Sequence, residues 1–532
     1  MRPLLRVRPN FAISAAVASS VGVFLVLIPA GVAVAGTSNI PCGDNAALVH
    51  AIDAANSAGR PVTINLGSGS GRCAYVLTAP AVPGGHNGLP VVTGDITING
   101  GGAVIARSTA LGTPDFRIFE VGIPDASKTV PNGKLAHLTL NYVTIMGGKV
   151  NGIQDESESF QGGDSGYGGG ILVKKKDNST GSSLILNSSV ITGNSASNGH
   201  RVAASLEEGT KGGGIAGSVA SITVNDSVIS KNTASDSLGG FSAGGGIANS
   251  DGTLLVRNSV ITNNHSISNG FPIGAYAGAV ESDSRVFFHA VSTTIEDSVI
   301  SGNTVSGIAT VGAAIDSQRE LTITRTRIIG NTATSTGDNS PHNACIPGFF
   351  VTACNAGSAY AESTIVNQGH AAITDSLITG NKATATGSPH ALVEGAGIMN
   401  SGGFSNKSIA AFLPVPGLAE ITRTTITGNV AEAKGAGAET KGAGVVNADG
   451  HTSTNPGGGQ GGLTLSASTV TGNVSVGPNA HGGGIDNYVR PMLEHPEEGR
   501  SLGTVTLTST VVLGNRPRNC EQQAGTITGC SG

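Results

Sequence analysis

Between Leu184 and Asn194 apolar and polar residues follow a fixed order, Leu184-Ile-Leu186-Asn-Ser-Ser189-Val-Ile191-Thr-Gly-Asn194. Counted from Leu186, a hydroxyl follows at plus three, an apolar residue at plus five and an asparagine at plus eight. The same spacing returns from Val224 (Ser227, Ile229, Asn232), Val256 (Ser259, Ile261, Asn264), Ile295 (Ser298, Ile300, Asn303) and Ile323 (Thr326, Ile328, Asn331). It continues from Ile373 (Ser376, Ile378, Asn381), Ile421 (Thr424, Ile426, Asn429), Leu465 (Ser468, Val470, Asn473) and Leu507 (Thr510, Val512, Asn515). The asparagines recur at intervals of 28 to 50 residues, so all variation in length lies outside the motif. A constant motif with variable inserts is the mark of a solenoid, in which each turn covers the next.

Within the motif the two residues of Leu-x-Leu share one face of a strand, and the hydroxyl and apolar residue share a face of the next segment. The step to the asparagine breaks that parity, which places a bend at the Thr-Gly or Ser-Gly pair. Equal offsets stacked about 4.8 Å apart predict a continuous amide ladder at this corner. A third segment completes the turn at Gly168-Gly-Gly170-Ile171, Gly212-Gly-Gly214-Ile215, Gly244-Gly-Gly246-Ile247 and Gly482-Gly-Gly484-Ile485. Softer copies carry Val280, Ile315, Ile365, Ile398 and Val445 at the apolar position. Two residues later stand Asn249, Ser282, Ser317, Asn367, Asn400, Asn447 and Asn487, which predicts a second, partly amide, inward stack. Three short strands per turn, rich in Ile, Val, Leu and Thr, predict an all-β chain: a single-stranded right-handed parallel β-helix of about 10–12 turns. Leucine-rich repeats share the Ile-x-x-Asn spacing but need a helical return, and inserts of Gly, Ser, Thr and Asn form helices poorly.

Ahead of the regular turns, Leu48, Val49, Ile52 and Ala55 make an apolar stripe at helical spacing that Gly59 and Pro61 terminate. A short capping helix over 45–57 would cover the open edge of the first turn. Residues 1–35 read as a secretory signal: Arg2, Arg6 and Arg8, an apolar run, and Ala33-Val-Ala35 before Gly36. The boundaries expected are therefore 1–35 signal, 36–90 cap, 91–515 β-helix and 516–532 tail. Loss of the three arginines moves the net charge from −5 to −8, so no basic patch recommends nucleic acid. The mature chain is expected to be secreted, with no membrane-spanning segment. Six cysteines in an exported chain suggest three disulfides. Fifteen pairings are possible; nearness in sequence favours Cys42–Cys73, Cys345–Cys354 and Cys520–Cys530.

The alternation of Gly-Gly-Gly-Ile with Ile-Thr-Gly-Asn resembles the Gly-Gly-Ala-Ile and Phe-x-x-Asn repeats of polymorphic outer-membrane proteins. The stretch Cys42…Ala51-Ile-Asp-Ala-Ala-Asn56…Cys73-Ala-Tyr-Val-Leu-Thr78 is similar to the cap of exported β-helix proteins of actinobacteria. Together they resemble the secreted bacterial β-helices of the pectin-lyase-like superfamily, over nearly the whole mature chain. That resemblance implies the fold and leaves activity open, since the superfamily holds lyases, hydrolases, epimerases, adhesins and inert scaffolds. Unlike polymorphic membrane proteins, this chain is expected to carry no membrane barrel after Cys530-Ser-Gly532.

Candidate chemistry comes from register. The residue after the apolar position of the third strand should point outward, and on adjacent turns it is Glu281 and Asp316. Asp283 lies two residues past Glu281, with Arg285, His289 and Arg319 nearby. Two close carboxylates raise one another's pKa or recruit a cation, which suits hydrolysis by a carboxylate pair or Ca²⁺-assisted elimination with an arginine base. The insert 332–361, with Phe349, Phe350 and Tyr360, would wall one side. Gly163-Asp-Ser165-Gly166 and His481-Gly-Gly-Gly484 imitate protease and lipase motifs, but the first has no partner histidine motif and the second consists of repeat glycines. Pectin-hydrolase and pectate-lyase motifs, zinc spacings and phosphate loops are missing from the sequence. The chain has no Trp and only 4% aromatic residues, so sugar-stacking platforms are scarce. Two expectations follow. One is an exported, cofactor-free scaffold that presents variable loops to an extracellular polysaccharide or cell-surface ligand. The other is a polysaccharide lyase or glycoside hydrolase acting on the face around Glu281 and Asp316, with Ca²⁺ as its possible cofactor.

Overall fold

The computed structural model describes residues 36–530, apart from 68–72, 123–134, 153–165, 175–180, 199–208, 238–239, 269–273, 284–290, 338–356, 402–416, 449–460, 489–502 and 524. The expected signal segment, the Cys345–Cys354 pairing and the candidates Arg285, His289, Phe349 and Phe350 lie outside the described residues.

The chain is a parallel β-helix. One turn runs from Ser183–Asn187 (sheet I) through Val190–Thr192 (sheet II), Ser195–Asn198 (sheet III), Gly209–Lys211 (sheet IV) and Ile215–Ser218 (sheet V) to Ser221–Asn225, back in sheet I. Among the described residues the sheets hold fourteen, twelve, nine, eight and eleven strands in that order. Equal offsets of the repeat pair directly, as Leu186↔Val224↔Val256 in sheet I and Ile191↔Ile229↔Ile261 in sheet II show. Sheets I, II and V are the three strands per turn expected from sequence. Sheets III and IV are additional and are built from the inserts between each asparagine and the following glycine triplet.

Two cores result. Leu184, Leu186, Ile191 and Ile215, with their equivalents, fill the lumen enclosed by sheets I, II and V, and all four are fully buried. Each such side chain contributes about 1.5–3 kcal/mol by leaving water, so the lumen supplies the main drive to fold. Sheets III and IV face each other across a second core of small residues, among them Ala333, Ala383, Ala385 and Ala431 of sheet III against Ala361, Ala391, Val393 and Ala438 of sheet IV. Alanine on both faces lets these two strands of a turn lie close together. It also gives this layer less apolar area per rung than the lumen has.

The corners explain the polar part of the motif. Between sheets I and II one residue per turn takes a left-handed conformation, including Asp226 (φ 50°), Asp297 (φ 50°), Arg325 (φ 48°) and Arg423 (φ 48°). Strain of this kind is uncommon outside glycine and persists because rungs on both sides fix the backbone. The glycine triplet answers a different demand. At Gly213 an added Cβ would sit 2.4 Å from the Thr233 carbonyl carbon and 2.5 Å from the Gly245 oxygen, so the chain passes where no side chain fits.

Helix α1 spans Asn45–Ser57, and the Asp44 side chain caps it by accepting from the Ala47 amide at 2.9 Å. Leu48, Ile52 and Ala55 of the expected stripe are buried and join the lumen core, with Ala51 in the fourth place and Val49 only partly buried against it. Cys42 and Cys73 form a disulfide beside the helix. At the other end Cys520–Cys530 closes the last rung, whose strands Cys520–Gln522 and Thr526–Thr528 pair with sheets V and I.

Candidate functional site

The asparagine ladder forms the spine of the molecule. Oδ1 of Asn232 accepts from both the amide and Nδ2 of Asn194, each at 3.0 Å, and Asn232 repeats the pattern on Asn264. Nδ2 also donates to a carbonyl of an earlier rung, at 3.0 Å from Asn232 to Ile191. The column continues through Asn303, Asn331, Asn381, Asn429, Asn473 and Asn515, ending on Asn519. These amides are occupied with one another and with the backbone, which makes them scaffolding rather than ligands. The second inward stack also forms, with Asn367, Asn400, Asn447 and Asn487 linked at 2.8 Å per step.

Glu281 and Asp316 are register partners on adjacent turns of sheet V, as the repeat spacing requires. Their surroundings differ from the sequence expectation. They point away from the lumen but meet protein instead of solvent, because sheet IV folds over the outer face of sheet V. Glu281 is 4% and Asp316 1% exposed. The same column holds Val366, Met399 and Val446, which pack with Val311 of sheet IV in an apolar cluster. What reads as an open face is thus an interlayer.

Within that interlayer the cation is Lys211, the residue before a glycine triplet, in sheet IV. Its Nζ donates to Asp283 Oδ2 at 2.6 Å, Ser250 Oγ at 2.7 Å and Glu281 Oε1 at 3.4 Å, and lies 5.6 Å from the centre of the Phe241 ring. Arg319, a candidate for the site by its nearness in sequence, is half-buried in the turn between sheets V and I, where its carbonyl accepts from the His370 amide. It belongs to the corner, and register along a strand gave no information about that. Further up the rod Tyr360 donates to Glu362 Oε1 at 2.5 Å and contacts Glu394. Burial pushes the Asp316 carboxyl well above its ordinary range, helped by the charges of Glu281, Glu362 and Asp283 and opposed by Lys211. Burial likewise raises the Tyr276 phenol, with Asp316 and Glu362 adding to the effect. The cluster therefore holds protons in place of some of its charges.

Among the described residues no group of three or more His, Cys, Asp or Glu side chains is arranged to hold a metal ion. Among the same residues no helix is long and apolar enough to cross a membrane.

Among solved structures the chain is similar to the A-module of the mannuronan C-5 epimerase AlgE4 of Azotobacter vinelandii, with a TM-score of 0.42 and 13% sequence identity over 93% of this chain and 97% of that one. No family model matches the chain, and no curated protein sequence does.

Several members of the cluster escaped the repeat reading: Lys211, Ser250, Tyr276, Glu362 and Glu394. A signal for three of them was present. The residue four before the apolar position is Lys211, Ala243, Tyr276, Val311, Glu394 and Lys441 in the copies from Ile215 to Val445, apart from that of Ile365, where Glu362 stands one residue closer. This column went unread because the inserts vary in length on its N-terminal side.

Proposed function

We propose that this chain is an exported, non-catalytic β-helix that serves as a rigid binding scaffold for an extracellular ligand. The observation that carries this reading is the burial of the best catalytic candidates. Glu281 and Asp316 lie between two sheets at 4% and 1% exposure, where a polymer has no approach. Lys211 reaches Glu281 and Asp283 within hydrogen-bonding distance and meets part of their charge. Buried ionic groups of this kind commonly serve architecture. Export is supported by the Arg-rich, apolar leader sequence and by the disulfides at both ends of the rod.

One observation favours the second reading, a polysaccharide lyase or glycoside hydrolase at the same place. Lys211, Asp316 and Tyr276 bring a cation, a proton-bearing carboxyl and a phenol into one cluster. For them to act, sheet IV would have to open. Incubation of the protein with neutral and uronate polysaccharides, read for unsaturated ends, new reducing ends and epimerised residues, separates the two. The scaffold reading expects no turnover. Turnover that Glu281→Gln and Asp316→Asn each abolish while thermal unfolding is unchanged would overturn it.

A further inference from the structure

The outer face of sheet I carries a pattern that neither the fold nor the buried cluster requires. The middle outward residue of each strand stands in register with the next, from Thr37 through Thr63, Thr97 and Thr139, and on to Thr223, Thr294 and Thr322. Ile185 and Leu255 are the two exceptions in that run, both uncharged. The first charged member of the column is Glu420. Two residues along each strand runs a second column, Asn39, Asn65, Asn99, Asn141, Asn187 and Asn225, in which each Nδ2 donates to the preceding Oδ1 at 2.8–3.0 Å. These side chains are half-buried or exposed.

Over its first six strands the face is thus a lattice of hydroxyls, methyls and amides with Asp95 and His137 at its edge, spaced about 4.8 Å along the rod and about 6.6 Å across it, while farther along Arg257, Glu296, Glu320 and His370 join the outward residues. Threonine is stiff about χ1, and the neighbouring amides are locked in their ladder. Contacts made here order few additional protein rotamers, the cost that usually limits binding by a polar surface. Stacked rungs with side-chain ladders also oppose the twist of an ordinary sheet. Over these first six rungs the face measures about 29 Å by about 13 Å, or about 370 Å².

Three properties select the occupant. The central column lacks charge over its first ten rungs and the first six strands carry no Lys or Arg, so a polyanion finds no fixed cation there. None of the outward residues of sheet I is aromatic, so sugar rings have nothing to stack on. What remains is a repeating set of hydroxyls, each able to anchor a water at fixed pitch, with a methyl beside it that restricts how that water orients. We propose that this face binds the surface of crystalline ice, through a row of waters held by the threonine column. The proposal names the ligand of the scaffold and rests on that reading.

The test uses the full chain, with ice-affinity partitioning and inhibition of ice recrystallisation as readouts and thermal unfolding as the control for folding. The wild type is expected to partition into ice and slow recrystallisation. The double variant Thr97→Lys/Thr139→Lys should lose most of this activity, and Thr192→Lys/Thr427→Lys, on the outer face of sheet II, should keep it. Thr97→Ser/Thr139→Ser, which retains the hydroxyls and removes only methyls, should give an intermediate loss. A wild type without effect on ice, or equal losses from the sheet I and sheet II variants, overturns the proposal. Retention on an insoluble neutral polysaccharide without an ice effect also overturns it, and assigns the face to sugar. None of these outcomes depends on polysaccharide turnover, so failure here is distinct from failure of the scaffold reading.

Discussion

Asp486 offers a direct measure of how the covered face of sheet V is held. It occupies the same outward column as Glu281 and Asp316, on strand Ile485–Tyr488, and is fully buried. Gln523 Nε2 donates to its Oδ2 at 3.2 Å, while the neighbouring Lys441 is engaged by Gln523 Oε1 at 2.7 Å and by Glu439. Burial lifts the Asp486 carboxyl to about 8, with Glu521 and Glu439 reinforcing the shift and Lys441 opposing it. A carboxyl with a raised native pKa binds its proton more tightly folded than unfolded. Its contribution to stability is therefore complete below the ordinary pKa of 3.8 and falls steadily as pH rises towards 8. At pH 7 the loss is on the order of 4 kcal/mol, about three pKa units at 1.36 kcal/mol each.

Asp486→Asn replaces the protonated acid by a neutral group of the same shape that still accepts from Gln523. The variant should match the wild type at pH 4 and exceed it at pH 7 by up to about 4 kcal/mol. The assay is urea unfolding of both proteins from pH 4 to pH 8. Because rungs of a solenoid can unfold separately, it should be paired with hydrogen exchange on strands Val445–Ala448, Ile485–Tyr488 and Cys520–Gln522. A stability difference that does not change with pH would refute the reasoning. So would a variant destabilised at pH 7, because it would mean that Asp486 is ionised and paired with Lys441.

Other perturbations test other layers. Lys211→Met removes the cation shared by Asp283 and Glu281 and should cost about 3–5 kcal/mol at neutral pH. The deficit in urea unfolding should shrink as acid protonates those carboxyls. Asn303→Ala strips the acceptor from the Asn264 amide and Nδ2, leaving two buried donors unmet, and should lower stability by about 2–5 kcal/mol. Asn141→Ala, in the half-exposed outer ladder, should cost well under about 1 kcal/mol, since water replaces the lost partner. Gly213→Ala leaves φ comfortable and meets backbone at 2.4–2.5 Å. It should destabilise by about 1–3 kcal/mol in thermal or urea unfolding.

The sequence made the lumen legible because its residues obey strict offsets. Leu186, Ile191 and Asn194 recur with no gap between them, and a strand that buries one face fixes its register. The capping helix was legible for the same reason, as an apolar stripe bounded by Gly59 and Pro61. Sheets III and IV were not. Their cores are alanine, valine and threonine, residues also common in solvated inserts, and the connections between them vary in length. Ala196, Ala234, Val305, Ala333 and Ala383 do keep a constant distance of two from the ladder asparagine, a weak signal available in hindsight. The outer amide column Asn141, Asn187, Asn225 also sits at a constant offset from the repeat. It went unread because outward polar residues on strands need no explanation of their own.

The unseen layer decides how the acidic pair is understood. Register alone placed Glu281 beside Asp316 correctly, and with sheet V on the surface that adjacency would be a site open to a polymer. Sheet IV converts it into an interlayer where charge is unaffordable unless met by Lys211 or a proton. The threonine column of sheet I is the reverse case. It faces solvent, it is uncharged as far as Ala372, and its stiff side chains recur at the pitch of the backbone, so the regularity that sheet V keeps internal is displayed outward there. A rod of this kind recognises ligands by repetition along a face, and the ligand to expect is one that repeats as well.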